Sequence, residues 1–223
     1  MVPRMNGMSI AELGAEAEAL MAGMPEGEAL DPQAVALIKL ATAVAVTSLD
    51  RRQIIQAIGQ ALDTGATTAQ VQEIIGLASG LGVHSLMVSS VVVLHEAASR
   101  GIADPGAPLD IEQQMLWGKY VGDDPFWAGF FEEMPGFLEA MLRLSPDIFA
   151  GFFDYCAIPW RSGAVRAKVK ELAALACDAT PSHRFRPGFR VHLKNAIKLG
   201  AGRTAILQAL DIAAATPGHT GTE

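Results

Sequence analysis

The chain has 223 residues, half of them hydrophobic, with a formal net charge of −7 and a pI near 5.2. That length and apolar content suffice for one domain or two small ones with a sizeable core. The acidic balance argues against a nucleic-acid partner, which would need clustered lysine and arginine against phosphate. The two cysteines, Cys156 and Cys177, show neither C-x-x-C spacing nor the density of a disulfide framework, and read as small buried residues. The N-terminus lacks the charged start, apolar stretch and cleavage site of a leader, and no apolar run is expected to span a membrane. The expected location is the cytoplasm, with no membrane partner.

Apolar residues recur at three- and four-residue steps through most of the chain, while strand-like alternation is scarce, so the fold class is all-α. Residues 9–24 read as an amphipathic helix stopped by Pro25-Glu26-Gly27. Further on, Thr67-x-x-Gln70 is a capping-box pattern opening a helix with Val71, Ile74, Ile75 and Ala78 on its apolar face. The stretch 100–110, RGIADPGAPLD, has the composition of a linker. After it comes an aromatic-rich segment punctuated by Pro125, Pro135, Pro146 and Pro159, which predicts short helices joined at corners. Its Phe and Trp residues suit core or subunit-interface packing better than a cofactor box. Towards the C-terminus, Phe189, His192, Leu193, Ala196 and Ile197 share one helical face, and Gly200 stands where a left-handed cap would end that helix.

A fixed offset of 135 residues relates two parts of the sequence without a gap. Leu37, Leu40, Ala41, Arg51, Ala61, Gly65, Ala66, Ala78 and His84 recur as Leu172, Leu175, Ala176, Arg186, Ala196, Gly200, Ala201, Ala213 and His219. Each copy reads as helix, loop, helix, Gly-Ala turn, helix. The ionisable residues Glu171, His183 and His192 of the second copy fall on Ala36, Ser48 and Ala57 in the first. The first copy is therefore expected to be degenerate and structural.

Chemistry concentrates around SHRFRPGFRVH (182–192), which holds two of the five histidines. Glu171 stands among Leu and Ala on its helix, a candidate partly buried carboxyl group, and burial raises a carboxyl's affinity for its proton. A histidine beside it would titrate near neutrality and serve as general acid or base. His192, on the apolar stripe, and His183, in the preceding loop, are the candidates. Arg190 and Arg186 are candidate clamps for a substrate carboxylate. Glu171, His183 and His192 would alternatively supply three ligands to a catalytic metal, although their spacing matches no known metal signature.

The second copy, KELAALACDATPSHRFRPGFRVHLKNAIKLGAGRTAILQAL, resembles the carboxymuconolactone decarboxylase family, which shares a superfamily with the AhpD-type alkylhydroperoxidases. Glu171, His192, Ala196 and Gly200-Ala201 carry the match, and GATTAQVQEIIGLASGLGVHSL in the first copy fits the later half of the same pattern. The resemblance implies an AhpD-like helical fold. It divides the chain into an N-terminal extension (1–30), a degenerate first repeat (31–99), a linker and helical connection (100–134) and a second repeat carrying the site (135–223). It implies a homo-oligomer, a trimer in preference to a hexamer. The peroxidase branch has cysteines where Phe185 and Gly188 stand here, so thiol peroxidase chemistry is disfavoured. What remains is a cofactor-independent, metal-free lyase or isomerase acting on a small carboxylate or lactone. His192 would be the proton donor, Glu171 would orient it, His183 would line the site and an arginine would hold the acid. A non-catalytic ligand-binding or assembly protein is the other reading.

Overall fold

The computed structural model describes residues 8–221. Among them are thirteen α-helices and no strand: α1 (Ile10–Leu20), α2 (Pro32–Val44), α3 (Arg51–Asp63), α4 (Thr68–Ser79), α5 (His84–Ser99), α6 (Ile111–Tyr120), α7 (Phe126–Glu133), α8 (Phe137–Leu144), α9 (Pro146–Cys156), α10 (Ile158–Ser162), α11 (Ala167–Ala179), α12 (Arg186–Lys198) and α13 (Arg203–Ala214). The class is all-α, as expected from the periodicity.

Local sequence explains where several of these helices begin and end. Ser9 with Glu12 and Thr67 with Gln70 form reciprocal capping boxes at α1 and α4, each satisfying otherwise unpaired N-terminal N–H groups. Asp31 and Ser145 cap α2 and α9, each followed by a proline at the first helical position, where its missing N–H costs nothing. The first helix ends at Leu20, before the Pro25-Glu26-Gly27 signal, and that segment has a different use. The Pro25 and Glu26 carbonyls accept hydrogen bonds from the N–H groups of Arg203 and Thr204 at the start of α13. Gly27 and Gly202 meet backbone to backbone there, where a Cβ on Gly202 would lie 2.6 Å from the Gly27 Cα.

The chain divides into two compact units that are not sequential blocks: one comprises residues 82–158, the other 8–81 together with 159–221. Of the stretches named from the repeat, 100–134 lies within the first of these units, while 31–99 and 135–223 each contribute to both. In the unit of residues 82–158, α8 packs on α5 and α9, and α6 on α9. Its interior is aromatic: Phe137 and Phe149 are fully buried, and Trp117, Tyr120, Trp127, Phe152 and Phe153 surround them with ring centroids 4.9–6.4 Å from a neighbour. Such offset and edge-on pairs add to burial. The aromatic residues of the proline-punctuated segment thus form a core.

In the other unit α11 is central, packed against α2, α4, α12 and α13. Residues Val169 to Ala179 of α11 are all buried, and its many alanines allow this close approach on several sides. The offset seen in the sequence reappears in the helix bounds: α2, α3 and α4 correspond residue for residue to α11, α12 and α13 under a shift of 135. Left-handed residues follow the same shift, Leu49 with Arg184 and Gly65 with Gly200. Gly65 and Gly200 each follow a helix at φ of 85° and 78°, the conformation that favours glycine at a helix end.

The helical stretch Thr68–Ser99 contains an 18-residue window of mean hydropathy 1.8, of which only 17% is buried, so by length and composition it qualifies as a membrane-span candidate. Its uninterrupted apolar runs are short, because Gly76, Ser79, Gly80, Gly82, His84 and Ser85 interrupt them without adding a charge. A 3₁₀ turn at Gly80–Val83 breaks the α-helical geometry midway.

Candidate active site

The site grows from α11 and α12. Glu171 and Asp178 lie two turns apart on α11, a spacing that sets both carboxyl groups towards the same neighbour. That neighbour is α12, which brings His192 and Asn195 to them. His192 Nδ1 lies 2.7 Å from Glu171 Oε2; with the glutamate ionised, Nδ1 carries the proton and donates it. The Asn195 amide donates to the other glutamate oxygen at 3.2 Å. Both oxygens of the buried Glu171 carboxylate are thereby held by α12.

On the other side of the imidazole, His192 Nε2 is 4.0 Å from Asp178 Oδ2. The second Asp178 oxygen is 3.7 Å from His183 Nε2. The order in space is Glu171, His192, Asp178, His183, so His183 joins the group at Asp178. Burial pushes the Asp178 carboxyl up to about 7, against the opposing pull of His192. For His192, burial alone would favour the neutral ring, but the Glu171 hydrogen bond and the charges of Glu171 and Asp178 outweigh it and raise its pKa. His183 is shifted down by burial.

Trp160 lies to one side of the imidazole. Its ring lies parallel to the His192 imidazole, with centroids 6.5 Å apart and planes 10° off. The backbone around it is clamped by a buried ion pair: Lys170 Nζ donates to Glu73 Oε1 at 2.8 Å and to the Pro159 carbonyl at 2.7 Å. Glu73 also accepts from the Ala164 N–H at 3.0 Å and the Val165 N–H at 3.3 Å, and bonds the Ser162 hydroxyl. Lys170 and Glu73 side chains are each only 3% exposed.

The two candidate clamp arginines lie one turn apart on α12 and already grip a carboxylate. Arg186 holds Glu16 through Nε at 3.0 Å and Nη2 at 3.1 Å, and Arg190 Nη1 reaches the same group at 2.7 Å. Glu16 belongs to α1, which packs on α12. Glu16→Ala is expected to loosen α1, costing about 1 kcal/mol because both arginines are part-exposed. A small drop in Tm and faster proteolysis within residues 10–20 would register it, and an unchanged protein would show the contact to be inert.

The metal alternative asks Glu171, His183 and His192 to converge on one point. Glu171 is instead engaged by His192 and Asn195, while His183 stands next to Asp178. The thiols offer little to redox chemistry. Burial pushes the Cys177 thiol far up, with Asp178 adding to the effect, and pushes Cys156 up to about 11. Both thiols are accordingly expected to alkylate far more slowly than free cysteine when the native protein is exposed to iodoacetamide at neutral pH. Mass spectrometry reads the result, and rapid labelling of Cys177 would refute its placement in the core.

Sequence reasoning passed over Asp178, Lys170, Glu73 and Trp160. Asp178 was the most accessible of these, since it stands seven residues after Glu171 in a run of otherwise apolar and small side chains, LAALAC.

Comparison with known proteins bears on the family and the fold. The Carboxymuconolactone decarboxylase family profile matches residues 146–221, which include α11, α12 and α13. No curated protein matches the chain. A crystal structure from Burkholderia xenovorans, carried under the provisional description of a gamma-carboxymuconolactone decarboxylase subunit, is similar with a TM-score of 0.72 and 30% sequence identity. The match covers 82% of this chain and 71% of that one. Together with the shared helical architecture, this similarity shows that the chain belongs to the carboxymuconolactone decarboxylase family.

Proposed function

We propose that the chain is a cofactor-independent lyase that decarboxylates, or an isomerase that shifts protons within, a small carboxylated or lactone-like metabolite. The observation that carries this reading is the 2.7 Å contact between His192 and the buried Glu171. It fixes the tautomer of a histidine whose side chain keeps 21% exposure. Loss of carbon dioxide from an unsaturated lactone acid leaves electron density spread towards the carbonyl, and a proton must then reach carbon. His192 delivers that proton, and Glu171 holds the ring and stabilises its charged form. Trp160, parallel to the imidazole, offers a flat apolar surface beside it for the substrate. Arg190 and Arg186 bind the substrate acid if Glu16 gives way to it, a role supported by their present grip on a carboxylate. The chemistry invoked needs neither metal nor cofactor.

The relative's description makes a gamma-carboxymuconolactone the first compound to assay, followed by other lactone acids and keto acids. Product formation by wild-type protein treated with chelator supports the reading. Saturable binding of these acids without product would favour a ligand-binding protein instead.

We also propose that α2–α4 and α11–α13 are two copies of one unit, with Ala36, Ser48 and Ala57 marking the copy that has lost its site. The chain then assembles as a homo-oligomer, a trimer in preference to a hexamer. Large apolar residues exposed on the single chain support assembly: Ile102, Ile111 and Met115 are 71–78% exposed, and Val88, Val92 and Val93 of α5 are also open. Light scattering coupled to size exclusion decides the mass. The proposed surroundings are the cytoplasm, with neither membrane nor nucleic acid as partner.

A further inference from the structure

We infer that Asp178 is a second proton-holding residue of this site, seated against the Nε2 side of His192 in the space that a side chain at position 188 would otherwise fill. The inference rests on the acid–base reading above and adds to it a residue that acts through His192.

Gly188 carries the steric half of the case. A Cβ built there would stand 2.2 Å from Asp178 Oδ2 and 2.9 Å from the Phe185 ring. The residue is in the first turn of α12 and has no positive φ, so backbone conformation does not demand glycine. The demand comes from the Asp178 carboxyl. Position 188 precedes His192 by one helical turn, so whatever fills this space lies alongside the imidazole.

The geometric half is the distance from His192 Nε2 to Asp178 Oδ2, 4.0 Å. This is too long for a direct hydrogen bond, but one oxygen atom placed off the line joining them can reach both. When His192 gives its Nε2 proton to a ligand, the Asp178 carboxyl can return one across a single water. Asp178 is left as carboxylate and the imidazolium is restored; abstraction runs the same path in reverse. A carboxyl pushed by burial to about 7 suits this exchange near neutrality. Within this unit the titratable groups around Asp178 are His192 on α12, His183 in the preceding loop and the adjoining Cys177, with Glu171 beyond His192.

The test uses the full chain with ¹³C-labelled aspartate carboxyls and ¹⁵N-labelled histidine rings, followed by NMR across the neutral range. In wild type the Asp178 carboxyl carbon is expected to titrate near neutrality and to perturb His192 at the same pH, as coupled groups do. In Asp178→Asn the His192 midpoint is expected to move to lower pH, because one of the charges that raises it is gone. An Asp178 carboxyl that titrates in the ordinary carboxylate range, or a His192 midpoint unmoved in Asp178→Asn, would overturn the inference. If Asp178→Asn does not fold, the wild-type carboxyl titration decides alone. Neither readout uses turnover, so a failure here is distinct from failure to find a lyase substrate.

Discussion

Glu171→Gln and His192→Ala are each expected to lower kcat by about 10²–10⁴, the usual worth of positioned proton transfer. Circular dichroism and oligomer size should stay unchanged. The two variants fail for different reasons. Glutamine at 171 keeps the shape and can still accept from Nδ1 through its carbonyl oxygen, but it removes the charge that favours imidazolium. His192 then titrates at lower pH and arrives at the chemical step as the neutral base. Alanine at 192 removes the donor itself and leaves the Glu171 carboxylate facing Asn195 alone. Because both act on one proton transfer, the double variant should be scarcely worse than either single one. Additive losses would show that Glu171 serves catalysis by a separate route.

The second large effect falls on stability. Lys170→Met leaves Glu73 charged in a site where both partners were 3% exposed, and breaking a buried pair from one side costs about 3–5 kcal/mol. In a chain of this size that lowers Tm by roughly 10 °C. Glu73→Gln should cost a similar amount, since it strands the Lys170 ammonium. Joint replacement by Met and Leu is expected to recover much of the loss, the behaviour that separates a stranded charge from a stabilising bond. The singles should also alter Trp160 fluorescence, because Lys170 holds the Pro159 carbonyl. The pH dependence has a definite sign. Burial pushes Glu73 upward, but the bonds from Lys170, Ser162 and Val165 outweigh it and hold its pKa below the usual 4.5. Its contribution to stability is therefore complete above that value and is lost as pH falls through the depressed one. Asp178 acts oppositely: with its carboxyl raised to about 7, the folded state loses stability as pH climbs from about 4 towards neutrality. Thermal scans on Asp178→Asn should show a flatter profile over that interval.

The sequence made the second unit's helices legible because its signals are local. Apolar periodicity, the Thr67–Gln70 box and the glycines at 65 and 200 act within a few residues, and the 135-residue offset let each copy check the other. The Glu171 and His192 pairing was reached through the family resemblance rather than through periodicity, which placed His192 on an apolar stripe without naming its partner. What stayed hidden depends on contacts between distant parts of the chain. Nothing local pairs Lys170 with Glu73, or Arg186 with Glu16 across 170 positions. Lysine at the start of a helix reads as solvent-facing, and tertiary packing alone makes it a buried strut. Asp178 was obscured for a related reason, since its meaning comes from the missing side chain at Gly188 as much as from its own charge.

The central claim is that Glu171 and His192 together move a proton to or from carbon without metal or cofactor. It is tested most directly by incubating the chelator-treated protein in D₂O with a gamma-carboxymuconolactone and related lactone and keto acids, and following deuterium at carbon by NMR. The account predicts deuterium in product or recovered ligand with wild type, and none above background with Glu171→Gln or His192→Ala. Incorporation that survives both substitutions, or that appears only after a divalent metal is added back, would contradict it.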